Sequence, residues 1–457
     1  MKNRFFGPAL LVVLSCGLVL GQAAEYKVLW SFNGAPGDGA IPLGKLTPDP
    51  LGNLYGTTFG GGNSTALPCS GGGCGTIFRL APNGDGTWSN TIIYSFCTNF
   101  SQSGCLDGAF PKSDLVFDAD GNLYSTTNNG GGVPCPFDTA GCGTVFELSP
   151  PKIPGQAWTQ VVLYSFCSSN VNSTCLDGAA PVSDLKLDAA GNLYGTTSFG
   201  GNGRSVGGTV FEMVHGQGLW KESVLYNFCS EGQDNICADG AQPMAGVTFD
   251  KAGNFYGTTE LGGAPKGQEG AGALYELSPS GNGWAETVLL AAPFAAGGNP
   301  LGTVSIDPVG RIYSTFSAGG PNGAGGVFRY IPRVGRNLFW FNSTNGATPI
   351  AGVLIDSKNP SLYGTTYAGG KQQAGTVYRI AAPGQETVLY NFCSEANCAD
   401  GAGPASGLIR DKAGNLYGTA KLGGSNGLGV VFEVVPQAPG KHGRLPSSLR
   451  LLLSNLR

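Results

Sequence analysis

Twelve cysteines fall into six close pairs: Cys69 with Cys74, Cys97 with Cys105, Cys135 with Cys142, Cys167 with Cys175, Cys229 with Cys237, and Cys393 with Cys398. A thirteenth, Cys16, stands near the N-terminus. Thiols at such spacings can form local disulfides or ligate a metal. The metal reading lacks its usual ligands, because no CxxC knuckle occurs and the histidines are only His215 and His442. An even set of local pairs suits an oxidising compartment, where each bridge closes a short loop and adds about 2 kcal/mol by constraining the unfolded chain.

A second recurring chemistry is Asp-x-x-Gly, at Asp49, Asp118, Asp188, Asp250, Asp307 and Asp411. Such an aspartate can accept the N–H groups of a tight turn while the glycine supplies a positive φ. Calcium binding is the rival use, but the alternating acids of a calcium loop are missing. A further copy reads Asp356-Ser357-Lys358-Asn359-Pro360-Ser361, and its hairpin is expected to be irregular by one residue. Asp-Gly-Ala recurs at Asp38, Asp107, Asp177, Asp239 and Asp400, and is read as the start of a strand, not as a cation site. Neither histidine is well placed as a general base, so no catalytic, cofactor-binding or metal residue is assigned and no cofactor is expected. Two acids from distant repeats could still converge for carboxylate-only glycosidase chemistry.

These residues are carried by a repeat. Leu-Tyr-Gly-Thr-Thr and its variants recur around Tyr55, Tyr124, Tyr194, Tyr256, Tyr313, Tyr363 and Tyr417. Such a period points to a propeller or an array. The second copy shows four strand-length runs bounded by turn residues: Ser113 to Asp118, Leu123 to Thr127, Gly143 to Leu148 and Trp158 to Phe166, here called a, b, c and d. In strand d, Trp88, Trp158 and Trp220 precede Tyr94, Tyr164 and Tyr226 by six residues, which on a regular strand puts both rings on one face, buried between neighbouring sheets.

The ends of the array predict closure. Strands d begin near Val28, Thr91, Val161, Ser223, Thr287, Asn337 and Thr387, so a lone d strand, Tyr26 to Phe32, precedes the first a strand. The chain finishes with a, b and c over Ser406 to Val434 and no d. The counts match if the first d strand completes the last blade. The expected fold is all-β: a seven-bladed β-propeller of four-stranded antiparallel blades, spanning 24–435 and closed by the N-terminal strand. In such a meander the a–b and c–d turns share one face, and the longer b–c and d–a connections, with every cysteine pair, share the other.

Residues 1–23 read as a secretory signal peptide, with Lys2 and Arg4 before an apolar run from Phe5 to Leu20 and small residues at Gly21-Gln22-Ala23. A membrane anchor and a lipoprotein site at Cys16 are the alternatives; the run is short for the first, and Leu14 is unsuited to the second. The tail, 436–457, is basic and leucine-rich and too short to cross a bilayer. Without the six basic residues of these two ends, twenty basic face thirty acidic side chains, a body charge of about −10. That balance disfavours nucleic acid as a partner.

The order Val-Leu-Tyr-Ser-Phe, Asp-Gly-Ala-x-Pro, Asp-x-x-Gly-Asn-Leu-Tyr-Gly-Thr-Thr, Gly-Gly, Gly-Thr-Val-Phe-Glu-Leu resembles the GloVer (Gloeobacter/Verrucomicrobia-type) tandem repeat. The resemblance spans about 26–435, with the second, third, fourth and seventh copies most specific, as in Gly191 to Thr197 with Gly208 to Glu212. It implies an exported bacterial repeat protein and transfers no catalytic residue. The expected function is a secreted or cell-surface, monomeric binding or scaffold protein for an extracellular protein or glycan, engaged through the long-loop face and chiefly its first two blades. The alternatives are a propeller lyase, lactonase or glycoside hydrolase, and an architectural envelope component.

Overall fold

A computed structural model describes residues 24–436 except for short stretches within loops, so residues 1–23, read above as a signal peptide, with Cys16, and all but the first residue of 436–457, lie outside the described residues. Seven antiparallel sheets follow one another along the chain. Blade 2 is typical, with a at Val116–Phe117, b at Leu123–Thr127, c at Thr144–Ser149 and d at Thr159–Ser165, hydrogen-bonded in that order. In blade 7, strands a (Ile409–Arg410), b (Leu416–Ala420) and c (Val430–Val435) are joined by Glu25–Ser31 as strand d, pairing Tyr26 with Val434 and Val28 with Phe432. The ring is closed by the chain's own beginning. No helix among the described residues is long and apolar enough to cross a membrane.

Each residue of Leu-Tyr-Gly-Thr-Thr has a separate task. The tyrosine hydroxyl donates to the turn aspartate, Tyr124 to Asp118 at 3.1 Å and Tyr256 to Asp250 at 3.1 Å. The other oxygen of Asp118 accepts the N–H groups of Asp120 and Asn122 at 2.9 and 2.8 Å. These aspartates are therefore turn clamps. In the irregular copy Asp356 pairs with Ser361, one residue further than the Asp188–Asn192 spacing, as its sequence predicts. The glycine makes room for the ring of strand c: a Cβ on Gly56 would lie 2.6 Å from the Phe78 ring. The first threonine reaches the next blade, as in Thr57 to Ser113 O at 2.9 Å, Thr365 to Ser406 O at 3.0 Å and Thr419 to Gly44 O at 3.4 Å. The second pairs across its own blade, as in Thr127 with Thr144 at 2.8 Å. Hydroxyls thus satisfy carbonyls of the innermost segments, which lack a full strand ladder. That is why strand a is shorter than its apolar run suggests.

Asp-Gly-Ala-x-Pro is the clasp between blades. The residue before the proline is left-handed in all seven blades, Ile41, Phe110, Ala180, Gln242, Asn299, Thr348 and Gly403, with φ between 51° and 61°, although the fifth and sixth read Ala296-Gly297-Gly298 and Asn345-Gly346-Ala347 in place of Asp-Gly-Ala. Its N–H donates to a b–c carbonyl of the preceding blade, as in Phe110 to Cys74 O at 2.8 Å, Thr348 to Ala324 O at 2.9 Å and, across the closure, Ile41 to Leu428 O at 2.8 Å. The proline then seats on the glycine that opens strand c, Pro111 on Gly75 and Pro42 on Gly429.

One expectation is corrected. Every d strand carries a one-residue bulge: in blade 1, Ile77 pairs with Tyr94, but Phe78 pairs with Ile92. The bulge reverses the alternation, so the tryptophan and tyrosine six residues apart face opposite ways. Trp158 packs on Tyr55 of blade 1, with ring centroids 6.2 Å apart, whereas Tyr164 reaches forward to Asp177 at 2.7 Å. Both rings are held between blades, but at two different junctions.

Candidate functional site

All six cysteine pairs are bonded as their spacing predicts. The Cα–Cα separations are 4.9 Å for Cys69 and Cys74, 4.7 Å for Cys97 and Cys105, and 5.1 Å for Cys135 and Cys142. They are 4.4 Å for Cys167 and Cys175, 4.3 Å for Cys229 and Cys237, and 3.9 Å for Cys393 and Cys398. The pairs stand on the b–c and d–a connections, and several meet in space. The four sulfurs of Cys69, Cys74, Cys97 and Cys105 lie within 4.8 Å of one another, and Cys142 Sγ is 3.8 Å from Cys175 Sγ. As disulfides they offer no thiolate to a metal, so their clustering ties a b–c loop to the adjacent d–a loop.

The four d–a pairs do more than close a loop, which their spacing does not reveal: the carbonyls of Cys105 and Cys175 accept the N–H groups of Gly131 and Gly201, each at 2.8 Å. The carbonyl of Cys237 accepts the N–H of Gly263 at 2.8 Å, and that of Cys398 accepts the N–H of Gly424 at 2.9 Å. Each therefore ties its d–a loop to the b–c loop of the blade that follows. Cys398 also ends a single 3-10 turn, Ala396–Cys398, a small departure from a chain of strands and turns alone. Two of the d–a loops form small hairpins, Phe100–Ser101 with Gly104–Cys105 and Asn170–Val171 with Thr174–Cys175. These hairpins expose Phe100 (57%) and Val171 (52%). The opposite face carries the short a–b and c–d turns, where His215 is exposed beside Trp220.

The Asp-Gly-Ala aspartates are buried in the long-loop face and order its loops. Asp107 Oδ2 accepts Tyr94 Oη at 2.8 Å and the N–H of Thr98 at 3.1 Å, while Asp400 repeats the arrangement with Tyr390 and Ser394 at 2.6 and 2.8 Å. The next blade inserts a strand-d side chain here. Asn90 donates to Asp38 at 2.9 Å and Gln160 to the Asp107 carbonyl at 3.1 Å. At the junction of blades 2 and 3 the inserted residue is Glu222. Burial, and then the charge of Asp177, push its carboxyl up to about 8. Glu222 Oε1 and Asp177 Oδ1 are both buried without a hydrogen-bond partner.

A pH effect on stability follows. The folded chain keeps a proton on Glu222 that the unfolded chain releases near 4.5, so this residue's contribution declines as pH rises from about 4.5 to about 8, by at most about 1.4 kcal/mol per pH unit. Glu222→Gln should therefore stabilise the fold progressively across that window. Denaturant titrations at pH 5, 6.5 and 8, taken as variant minus wild type, measure it; a difference that does not change with pH would refute the assignment.

The channel along the ring axis holds a cluster the repeat pattern concealed. Strand-a segments of different blades contribute Lys45, Asp114, Asp184 and Thr303 at one level. Lys45 Nζ lies 2.9 Å from Asp114 Oδ2, and the Lys45 N–H donates to Asp114 Oδ1 at 2.6 Å. The Asp114 N–H donates to Asp184 Oδ1 at 3.2 Å, and Thr303 Oγ1 to Asp184 Oδ2 at 3.0 Å. Burial, then the charge of Asp184, raise Asp114 to about 6 despite Lys45. Burial pushes Asp184 up too, but Lys45, Lys186 and the two donors outweigh it and hold it below its ordinary value. The sequence held one signal for this site. Within otherwise apolar a runs, the same repeat position reads Lys45, Asp114, Asp184, Gly246, Thr303, Gly352 and Gly407.

The Gloeobacter/Verrucomicrobia repeat model matches residues 19–264 and 233–432. No curated protein matches the chain. Among solved structures, similarity extends to the GH74 xyloglucanase from Xanthomonas campestris, at 16% identity and TM-score 0.51, covering 89% of this chain and 53% of that one. The extracellular domain of a candidate one-component system from B. thetaiotaomicron is similar at 14% identity and TM-score 0.50, covering 92% of this chain and 43% of that one. A candidate 6-phosphogluconolactonase from Bacteroides uniformis follows, at 14% identity and TM-score 0.46, covering 78% and 86%. The chain thus spans about half the length of the first two. At these identities the likeness is one of fold.

Proposed function

The chain belongs to the Gloeobacter/Verrucomicrobia repeat family, and from that premise we propose that it is an exported, non-catalytic β-propeller that binds an extracellular protein or glycan through its long-loop face. The observation that carries this reading is the gathering of all six disulfides onto one face, with the exposed apolar side chains Phe100 and Val171 held on stapled hairpins. A rigid loop surface loses little conformational entropy when it binds, and apolar side chains on such loops suit a partner surface. The export itself is supported by the cysteine pairing and by the leader-like run at 1–23.

The acid pair Asp114/Asp184 favours a second reading, a carboxylate-only glycoside hydrolase. Against it, both oxygens of each aspartate already accept hydrogen bonds or an ion pair from protein groups. So held, the two carboxylates are fixed hydrogen-bond acceptors, whereas a general acid or base must exchange a proton with the substrate.

Shortening the b–c loops Thr58–Gly75 and Thr127–Gly143 to the length of Ala420–Gly429 should leave the fold intact, because surface loops change length at little thermodynamic cost. Binding to whatever a glycan-array and secreted-protein screen captures with the wild type should be lost. Unchanged affinity in the shortened variant would show that the wrong face or the wrong blades were chosen.

A further inference from the structure

The axial channel holds a cavity of about 440 Å³ that opens to solvent, within the range of about 300–1,000 Å³ typical of small-molecule sites. Strand a runs from the long-loop face toward the a–b turns, and its channel-facing residues form three levels. The level nearest the long loops is an apolar collar of Leu43, Met244, Leu301, Ile350 and Ala405. Lys112, at the same level, turns aside to Asn128 Oδ1 at 3.2 Å and to the Phe59 ring. The middle level holds the Lys45–Asp114–Asp184–Thr303 network on blades 1, 2, 3 and 5. The third adds Lys186, Thr248 and Ser305.

Glycines create the space. Gly352 and Gly407 stand at the middle level on blades 6 and 7 and add no side chain to the wall there; Gly352 is packed on the Thr303 carbonyl, which an added Cβ would meet at 2.3 Å, whereas at Gly407 the nearest atom is Lys45 Cδ. On blade 4, Gly246 lets Asp184 reach across to Thr303; a Cβ at Gly246 would come within 2.4 Å of the Asp184 carbonyl. Lys186 lines the cavity with no hydrogen-bond or ion-pair partner among the described residues. The charged side chains of the lining therefore stand on blades 1–3, whereas blades 4–7 present the collar residues Met244, Leu301, Ile350 and Ala405 with Thr303 and the glycines below them.

Those charges are already balanced. Lys45 neutralises Asp114, and Lys186 lies two residues from Asp184 on one strand. A ligand with a net charge would leave an uncompensated charge in a partly desolvated site, at a cost in free energy. A neutral molecule with hydroxyls along one edge and C–H groups along the other meets no such cost. We propose that the middle of the channel binds a monosaccharide, its hydroxyls on Asp184, Thr303 and Lys186 and its C–H face on the Leu301–Ile350 side. This site is separate from the loop face, and variants of either can fail without the other.

The test is saturation-transfer NMR of the folded wild type with glucose, galactose, mannose, xylose, arabinose and fucose at millimolar concentration, with leucine as a zwitterionic control. At least one sugar should receive saturation. Gly407→Leu adds a side chain to the cavity wall, and its Cβ would stand 3.2 Å from Lys45 Cδ, an atom on a flexible chain that can yield. It should abolish the signal. Lys186→Met keeps the bulk and removes the ammonium, and should weaken binding about tenfold, the loss of one charged hydrogen bond. Leu51→Ser, 84% exposed in an a–b turn outside both proposed surfaces, should leave the signal unchanged. Melting curves establish that each variant is folded. The proposal is overturned if no sugar is saturated, if the signal survives in folded Gly407→Leu, or if leucine alone binds.

Discussion

A chain beginning at Asn33 will not give the cooperative unfolding transition of the complete ring. Glu25–Ser31 supplies the outer strand of blade 7, and its loss uncovers the backbone edge of Val430–Val435. It also removes Leu29 and Phe32, buried at 7% and 0% exposure, and Tyr26, whose ring stacks on Tyr390 at 3.7 Å. Burial of side chains this large contributes about 1.5–3 kcal/mol each, so the sum is comparable with the whole stability of about 5–15 kcal/mol typical of a folded domain. The bare edge should then pair with another chain. Denaturant unfolding with sizing chromatography checks this; a monomer with the wild-type midpoint would show that the ring does not depend on its clasp.

The second large effect is expected from a single methyl group. Gly429→Ala places a Cβ 2.5 Å from Pro42 Cδ and 2.7 Å from the Ala420 carbonyl, at a residue with φ of +100°. Left-handed strain of about 1–2 kcal/mol adds to overpacking of about 1–3 kcal/mol, for a loss of about 3 kcal/mol at the point where the ring closes. Gly52→Ala is the control. Its φ is +87°, but nothing lies within 4 Å of the added Cβ, so only the backbone strain should appear. Equal losses in the two variants would mean that Pro42 and Gly429 do not carry the closure.

Much of the fold is legible in the chain because a repeat averages out local ambiguity. Seven copies of one pattern locate the strands, the Asp–Gly turns and the unmatched d strand at the N-terminus. The Trp–Tyr spacing misleads, because a bulge at a non-glycine residue leaves no mark in the sequence while reversing every later side chain. The Asp-Gly-Ala carboxylates read as strand starts; they are buried acceptors that order a loop, a role visible only once Tyr94, Thr98 and Asp107 meet. The channel network stays hidden because Lys45, Asp114, Asp184 and Thr303 sit far apart in the chain and differ in type.

The sequence by itself determined the all-β repeat, the blade count and the ring closure, because strand period, turn chemistry and pairing partners are local properties repeated along the chain. Its cysteine spacing also named the six pairs, from Cys69 with Cys74 to Cys393 with Cys398, since partners five to eight residues apart are near whatever the fold. What the carbonyls of Cys237 and Cys398 hold was left to the folded chain, because Gly263 and Gly424 lie in other loops. Only the tertiary structure decided what stands at the axis. There one residue from each blade meets six others, and a position that reads Lys, Asp, Asp, Gly, Thr, Gly and Gly becomes a charged edge facing glycines. Proximity created by ring closure has no counterpart in sequence separation. The chemistry of the channel is therefore a property of the closed ring and of no single repeat.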